Sequence, residues 1–135
     1  MEWTIFTKRK PTKSQWRDIA FGLTASECLE PFGATRSIHV KNRTVLSVET
    51  MEGLADAIRR SGTICRGGFT VVLFFPPQAG AGVFHDEPVD TRILQAMVDA
   101  GADTLALSAD CPISDPETVI AFANRQKITI VQKHG

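Results

Sequence analysis

Phe69-Thr-Val-Val-Leu-Phe-Phe75 is an almost unbroken apolar run. A strand covered on both faces reads this way, because neither face can carry polar residues into a core. Thr104-Leu-Ala-Leu-Ser108 and Ile128-Thr-Ile-Val131 repeat the pattern downstream. Between the first two strands, a helix starting at Asp90 or Thr91 places Ile93, Leu94, Met97 and Val98 on one stripe, and Gly101 follows Ala100 as a stop. Between the last two, Asp115-Pro116-Glu117 opens a helix with a capping acid, a proline in the first turn and a second acid near the positive end of the dipole. Val119, Ile120, Phe122 and Ala123 supply its apolar side. The order from Phe69 onward is therefore β-α-β-α-β, which favours parallel strands joined by crossover helices.

Outward from this unit, Thr35–Lys41 and Thr44–Glu49 read as two strands joined at Asn42-Arg43, a pair suited to a tight hairpin. The alternation puts His39 with Ser37 and Lys41 on the polar side, so His39 is expected to face solvent. Thr50 can cap a helix over residues 51–60, with Leu54, Ala55, Ala57 and Ile58 as its stripe and Gly62 as its stop. Glu2–Thr7 reads as a further strand. Residues 12–24 read as a helix with Trp16, Ile19, Ala20 and Leu23 on one face, and residues 25–34 as a connection. The expected fold is α/β (or α+β): one mixed sheet of about six strands, antiparallel at the hairpin and parallel in the second half, with helices packed on it. With no repeat and no Gly/Ser-rich linker, residues 1–135 are expected to form a single domain.

The composition is that of a globular chain: 43% apolar and 22% charged residues exclude a disordered one. The longest apolar run is far too short to span a bilayer, and the N-terminus lacks the order of a signal peptide. Three widely spaced cysteines, Cys28, Cys65 and Cys111, give no disulfide framework, so a reducing, cytoplasmic compartment is expected. The net charge is zero but uneven. Residues 1–66 carry 11 Lys/Arg against 7 Asp/Glu, and residues 67–135 carry 4 against 8. Between Gly67 and Asn124 the only basic residue is Arg92.

Ligands of an open parallel sheet bind beyond the carboxyl ends of its strands. That rim should gather the loop 76–88, the segment 108–115 and the C-terminus. Gly80 and Gly82 stand where phosphate-binding glycines stand, but neither GxGxxG nor a P-loop is completed. His85, Asp86, Glu87, Asp110 and Cys111 are metal-ligand types without ligand spacing. A magnesium site on these carboxylates would need a phosphorylated substrate and a basic partner, for which Arg92 is the nearby candidate. Cys111 with His85 or His134 is a candidate thiolate–imidazole pair, without a strained nucleophile turn to support it. His134, next to the terminus, is expected to fray. The reading assigns no catalytic residue, metal or cofactor.

What remains is charge. His85, Asp86, Glu87, Asp90, Asp110 and Asp115 define an acidic rim that suits a protein partner with a basic surface. This favours a non-enzymatic binding module, a small inhibitor of the bacterial immunity type that neutralises a cationic nuclease toxin. Two alternatives stay open. One is a small enzyme using His85 and Cys111, or carboxylates with a metal, on the same rim. The other is anion or nucleic-acid binding by the basic first half, where Lys8, Arg9, Lys10, Lys13, Arg17, Arg36, Lys41, Arg43, Arg59, Arg60 and Arg66 lie.

Overall fold

The computed structural model describes residues 2–29, 31, 37–49, 52–65, 67–73 and 88–135. Its strands are β1 (Trp3–Ile5), β2 (Ser37–Lys41), β3 (Thr44–Val48), β4 (Thr70–Leu73), β5 (Thr104–Leu107) and β6 (Thr129–Lys133). Its helices are α1 (Lys13–Leu29), α2 (Leu54–Ile64), α3 (Thr91–Ala100) and α4 (Pro116–Gln126). All six strands join one mixed sheet in the order β1-β6-β5-β4-β2-β3. β4, β5 and β6 are parallel neighbours, as the alternating second half requires, and the other three pairings are antiparallel.

The parallel strands are buried along β4 and β5 because both faces are covered. On one face Val71, Leu73, Leu105, Leu107 and Ile130 pack against Leu54 and Ile58 of α2, Ile93, Leu94 and Met97 of α3, and Val119 of α4. Each such aliphatic side chain, taken fully from water, contributes about 1.5–3 kcal/mol before entropy is counted. On the other face Val72, Ala106 and Val131 meet Ile19 of α1, with Trp3, Ile5, Trp16 and Leu23 around them. Trp3 and Trp16 meet edge to face, 5.7 Å between centroids.

α1 runs five residues past the expected end at 24, so residues 25–29 belong to the helix and not to a connection. Nothing in Ala-Ser-Glu-Cys-Leu29 breaks a helix. Its buried face is Asp18, Ile19 and Gly22, while Ala20 is exposed. Gly22 allows α1 to lie close to the sheet: a Cβ there would fall 2.6 Å from Val72 Cγ2. α2 also ends later than expected, at Ile64, and Gly62 lies inside it. The reason is packing: a Cβ at Gly62 would sit 2.7 Å from Ala100 Cα, so this glycine sets the close approach of α2 to α3.

The β2–β3 hairpin turns at Asn42 and Arg43, both with positive φ (49° and 57°). Two consecutive left-handed residues are the geometry of a tight hairpin turn. Asp18 holds it from α1, accepting from Arg43 N (2.7 Å) and Asn42 N (3.2 Å). The expected cap Thr50, the strand ends Thr35, Phe74 and Phe75, and the loop glycines Gly80 and Gly82 lie outside the described residues. No described helix is long and apolar enough to cross a membrane.

Candidate functional site

Parallel pairing puts the carboxyl ends of β4, β5 and β6 on one edge of the sheet, with the starts of α3 and α4 close by. The segment after β5 is tightly held there. Ser108 N donates to Leu73 O at the end of β4 (2.9 Å). Val89 N donates to Pro112 O and Ser114 N to Val89 O, so the lead into α3 pairs with the lead into α4. Gln132 Nε2 of β6 donates to Cys111 O (2.8 Å) and Ser108 O (3.0 Å), with a longer contact to Ala109 O. This side chain gathers the whole turn beneath the rim.

The sequence-selected residues are distributed unevenly around this edge. His85, Asp86 and Glu87 lie outside the described residues. Asp90 caps α3, accepting from Arg92 N and Ile93 N, and also pairs with the Arg92 guanidinium (3.0 Å). Asp110 and Asp115 are exposed. Asp115 does not cap α4 in the expected way: it sits at φ 50° with no side-chain bond to the helix backbone, and accepts instead from Thr118 Oγ1 (2.7 Å). Cys111 is 5% exposed and belongs to the core, which gives the thiol no access to a substrate. His134 is not frayed. Its backbone N donates to Glu2 O and its ring Nε2 lies 2.7 Å from Thr4 Oγ1, so it is engaged with the β1 side. Among the described residues no three His, Cys, Asp or Glu side chains converge as metal ligands.

The expectation for His39 is overturned. It is fully buried, because α2 covers the face onto which β2 and β3 point their polar residues. Its Nε2 lies 3.0 Å from Ser37 Oγ, and its Nδ1 lies 2.6 Å from Ser61 Oγ and 3.1 Å from Ser47 Oγ. Ser47 and Ser61 bond each other, and Ser37 Oγ donates to Glu49 Oε1 (3.2 Å). Glu49 is 1% exposed. The Phe69 ring lies 6.0 Å from the imidazole. Burial, reinforced by the positive charge of Arg60 and opposed by Glu52, lowers the His39 pKa from 6.5 to about 4. Arg60 binds Glu52 and reaches Val48 O, closing α2 onto β3 from outside. That hydrogen-bonded pairing also lowers the Glu52 pKa and raises that of Arg60.

This cluster touches the same rim. Ser37 is opposite Leu73, the last residue of β4, and Glu49 N donates to Ser37 O. The sequence carried a signal for it. Ser61 stands three residues after Ile58, on the apolar stripe of its helix, while Ser37, His39, Ser47 and Glu49 share one strand face. Polar residues on an apolar helix stripe match polar residues on a strand face when the two pack together. Gln132 carried a similar signal, being polar and two residues beyond Ile130 on the core side of β6.

The family model described as the LpxI C-terminal domain matches residues 2–131. No curated protein matches the chain. LpxI is an enzyme of lipid A biosynthesis, a UDP-2,3-diacylglucosamine hydrolase. This overturns the expectation of a non-enzymatic immunity protein that neutralises a toxin. Surface charge could not separate the two readings, since an acidic rim suits a cationic protein and a cation-assisted phosphate reaction equally.

Proposed function

We propose, from the premise that this chain belongs to the LpxI C-terminal domain family, that it supplies one domain of a hydrolase acting on a UDP-linked diacylglucosamine. The family match over residues 2–131 carries this reading. The fold supports it. Ligands of open parallel sheets bind beyond the carboxyl strand ends, and helix N-termini beside that edge favour phosphate groups. Here α3 and α4 both begin at the edge, and the backbone N–H groups at the start of α4 are not taken by Asp115.

The bond we assign to the reaction is the diphosphate anhydride. Water attacks one phosphorus, the bridging P–O bond breaks, and a nucleoside monophosphate and a sugar phosphate separate. Such a step depends on positioning and on stabilising charge over the phosphoryl oxygens. The exposed Asp110, Asp115 and Glu117 have the same sign as the substrate. Among the described residues the carboxylates do not converge on a cation site. A nucleotide-activated sugar and three widely spaced cysteines fit a reducing cytoplasm, where we place the protein.

The test incubates the full-length polypeptide carrying this chain with UDP-2,3-diacylglucosamine, with a divalent cation and separately with a chelator, and identifies the products. Uridine monophosphate and the acylated sugar phosphate are expected. Release of uridine diphosphate would move the cleavage to the glycosyl bond, and no turnover under either condition would refute the reading.

A further inference from the structure

We infer that Glu49 is a proton-holding, positioning residue of the hydrolytic rim, and that Ser37, His39, Ser61 and Ser47 form the hydrogen-bond chain that lets it hold either charge state. The inference rests on the hydrolase reading above and adds a residue to that site.

Ser37 has one hydroxyl hydrogen and gives it to Glu49 Oε1. Its oxygen must then accept from His39 Nε2, 3.0 Å away, which places the imidazole hydrogen on Nε2. His39 Nδ1 is left as an acceptor, and Ser61 Oγ, at 2.6 Å, donates to it. Ser61 Oγ in turn accepts from Ser47. Every link from the Ser47–Ser61 pair through His39 and Ser37 points toward Glu49. Glu49 is the one member of the chain that, when ionised, has no hydrogen to pass on. It also interacts beyond this chain.

The same atoms can serve the opposite state. If Glu49 takes a proton, it can donate to Ser37, Ser37 to His39 Nε2, His39 Nδ1–H to Ser61, and Ser61 to Ser47. No heavy atom need move. Only the Ser47 hydrogen then lacks a partner within the chain. Hydroxyls and imidazole are the side chains that can reverse in this way, because each both donates and accepts. An apolar set of similar size would pack the α2 interface without the cost of burying a carboxylate. Buried ionisable groups at the edge of a ligand-binding rim are characteristic of functional sites. Hydrolysis of an anhydride consumes a water and releases a proton. A carboxylate just past β3, bonded to Ser37 opposite the end of β4, that can take up a proton without repacking suits that need. Since Glu49 is 1% exposed, it acts through the residues it positions and not by contact with substrate. The other charged groups acting on His39 are Arg60 and Glu52, paired with each other on the outer side of α2.

Two measurements on the full-length polypeptide test this. The first needs no substrate: ¹⁵N NMR of His39 at neutral pH. We expect the Nε2–H tautomer in the native protein and a shift to Nδ1–H in Glu49→Ala, where Ser37 loses its acceptor. A native Nδ1–H tautomer, or an unchanged tautomer in the variant, overturns the proposal. The second measures hydrolysis by Glu49→Gln, with Ser37→Ala as a companion variant should the first fail to fold. We expect kcat to fall roughly tenfold or more, KM to stay within about twofold, and the acidic limb of the pH profile to move. An active native protein with variants of unchanged kcat and pH profile overturns the role of Glu49 and leaves the hydrolase reading standing. An inactive native protein refutes that reading, and the role of Glu49 falls with it.

Discussion

Acidification should unfold this protein partly through one buried imidazole. His39 is fully buried, and its pKa is lowered from 6.5 to about 4, chiefly by burial and secondarily by Arg60. The unfolded chain therefore binds a proton at His39 across the window between those two values, while the folded chain does not. Stability rises with pH wherever the unfolded state holds more protons. The His39 contribution is fully present above the unfolded value of 6.5 and is lost progressively as the pH falls toward 4. At about 1.4 kcal/mol per pH unit, this amounts to about 3 kcal/mol. Carboxylates titrate in the same range, so the measurement must be a difference. Urea unfolding of the native protein and of His39→Gln, at about pH 7 and about pH 4, supplies it. Glutamine keeps a polar side chain in the chain and does not titrate. The native protein should lose about 3 kcal/mol more than the variant between the two conditions. Equal losses would refute the buried neutral imidazole, and so the geometry from which it follows.

Three further outcomes follow from the packing. Gly22→Ala should cost about 1–3 kcal/mol, because its Cβ meets Val72 at 2.6 Å, and Val72→Ala in the same chain should recover part of the loss. Thermal unfolding of the two single variants and the double variant measures this, and additive losses would argue against the contact. Asp18→Ala should cost about 1–3 kcal/mol by leaving Asn42 N and Arg43 N without their carboxylate, with faster amide exchange at both positions. Unchanged exchange there would show that α1 does not hold the hairpin. A thiol reagent should modify Cys28 first, Cys65 more slowly, and Cys111 only on unfolding. Native labelling of Cys111 as fast as Cys28 would contradict its place in the core.

The second half of the fold was the most legible part. Runs such as 71–73 and 105–107 are apolar throughout because both their faces are covered, and that requirement is written locally. The turn at Asn42-Arg43 was legible for the same reason, since its geometry involves only adjacent residues. Helix ends were less so. Gly62 reads as a stop in isolation and is a contact point in the structure, because its significance lies with Ala100 on another helix. The candidate rim was legible as an edge of the sheet, and its residues much less so. Asp90 and Asp115 stood out because charge is visible in a sequence, yet Asp90 is committed to the start of α3. His39 and Glu49 were passed over because alternation identifies a polar face without saying what covers it. Function was not legible from charge at all. What the match over residues 2–131 supplied is the family, from a pattern that no single motif carries.

By itself, then, the sequence determined which segments are strands and helices, that the last three strands run parallel, and that their carboxyl ends share one edge of the sheet. These follow from side-chain periodicity and from the handedness of short connections, which act within a few tens of residues. The tertiary structure decided that the polar side of β2 and β3 faces α2 and not water. It decided that Cys111 is sealed in the core under Gln132, and that Ser37, His39, Ser47, Glu49 and Ser61 meet. Burial of a polar group depends on a partner element distant in sequence. Only when that element is in place does the hydrogen-bond count close, leaving a histidine neutral and a carboxylate fixed beside the rim.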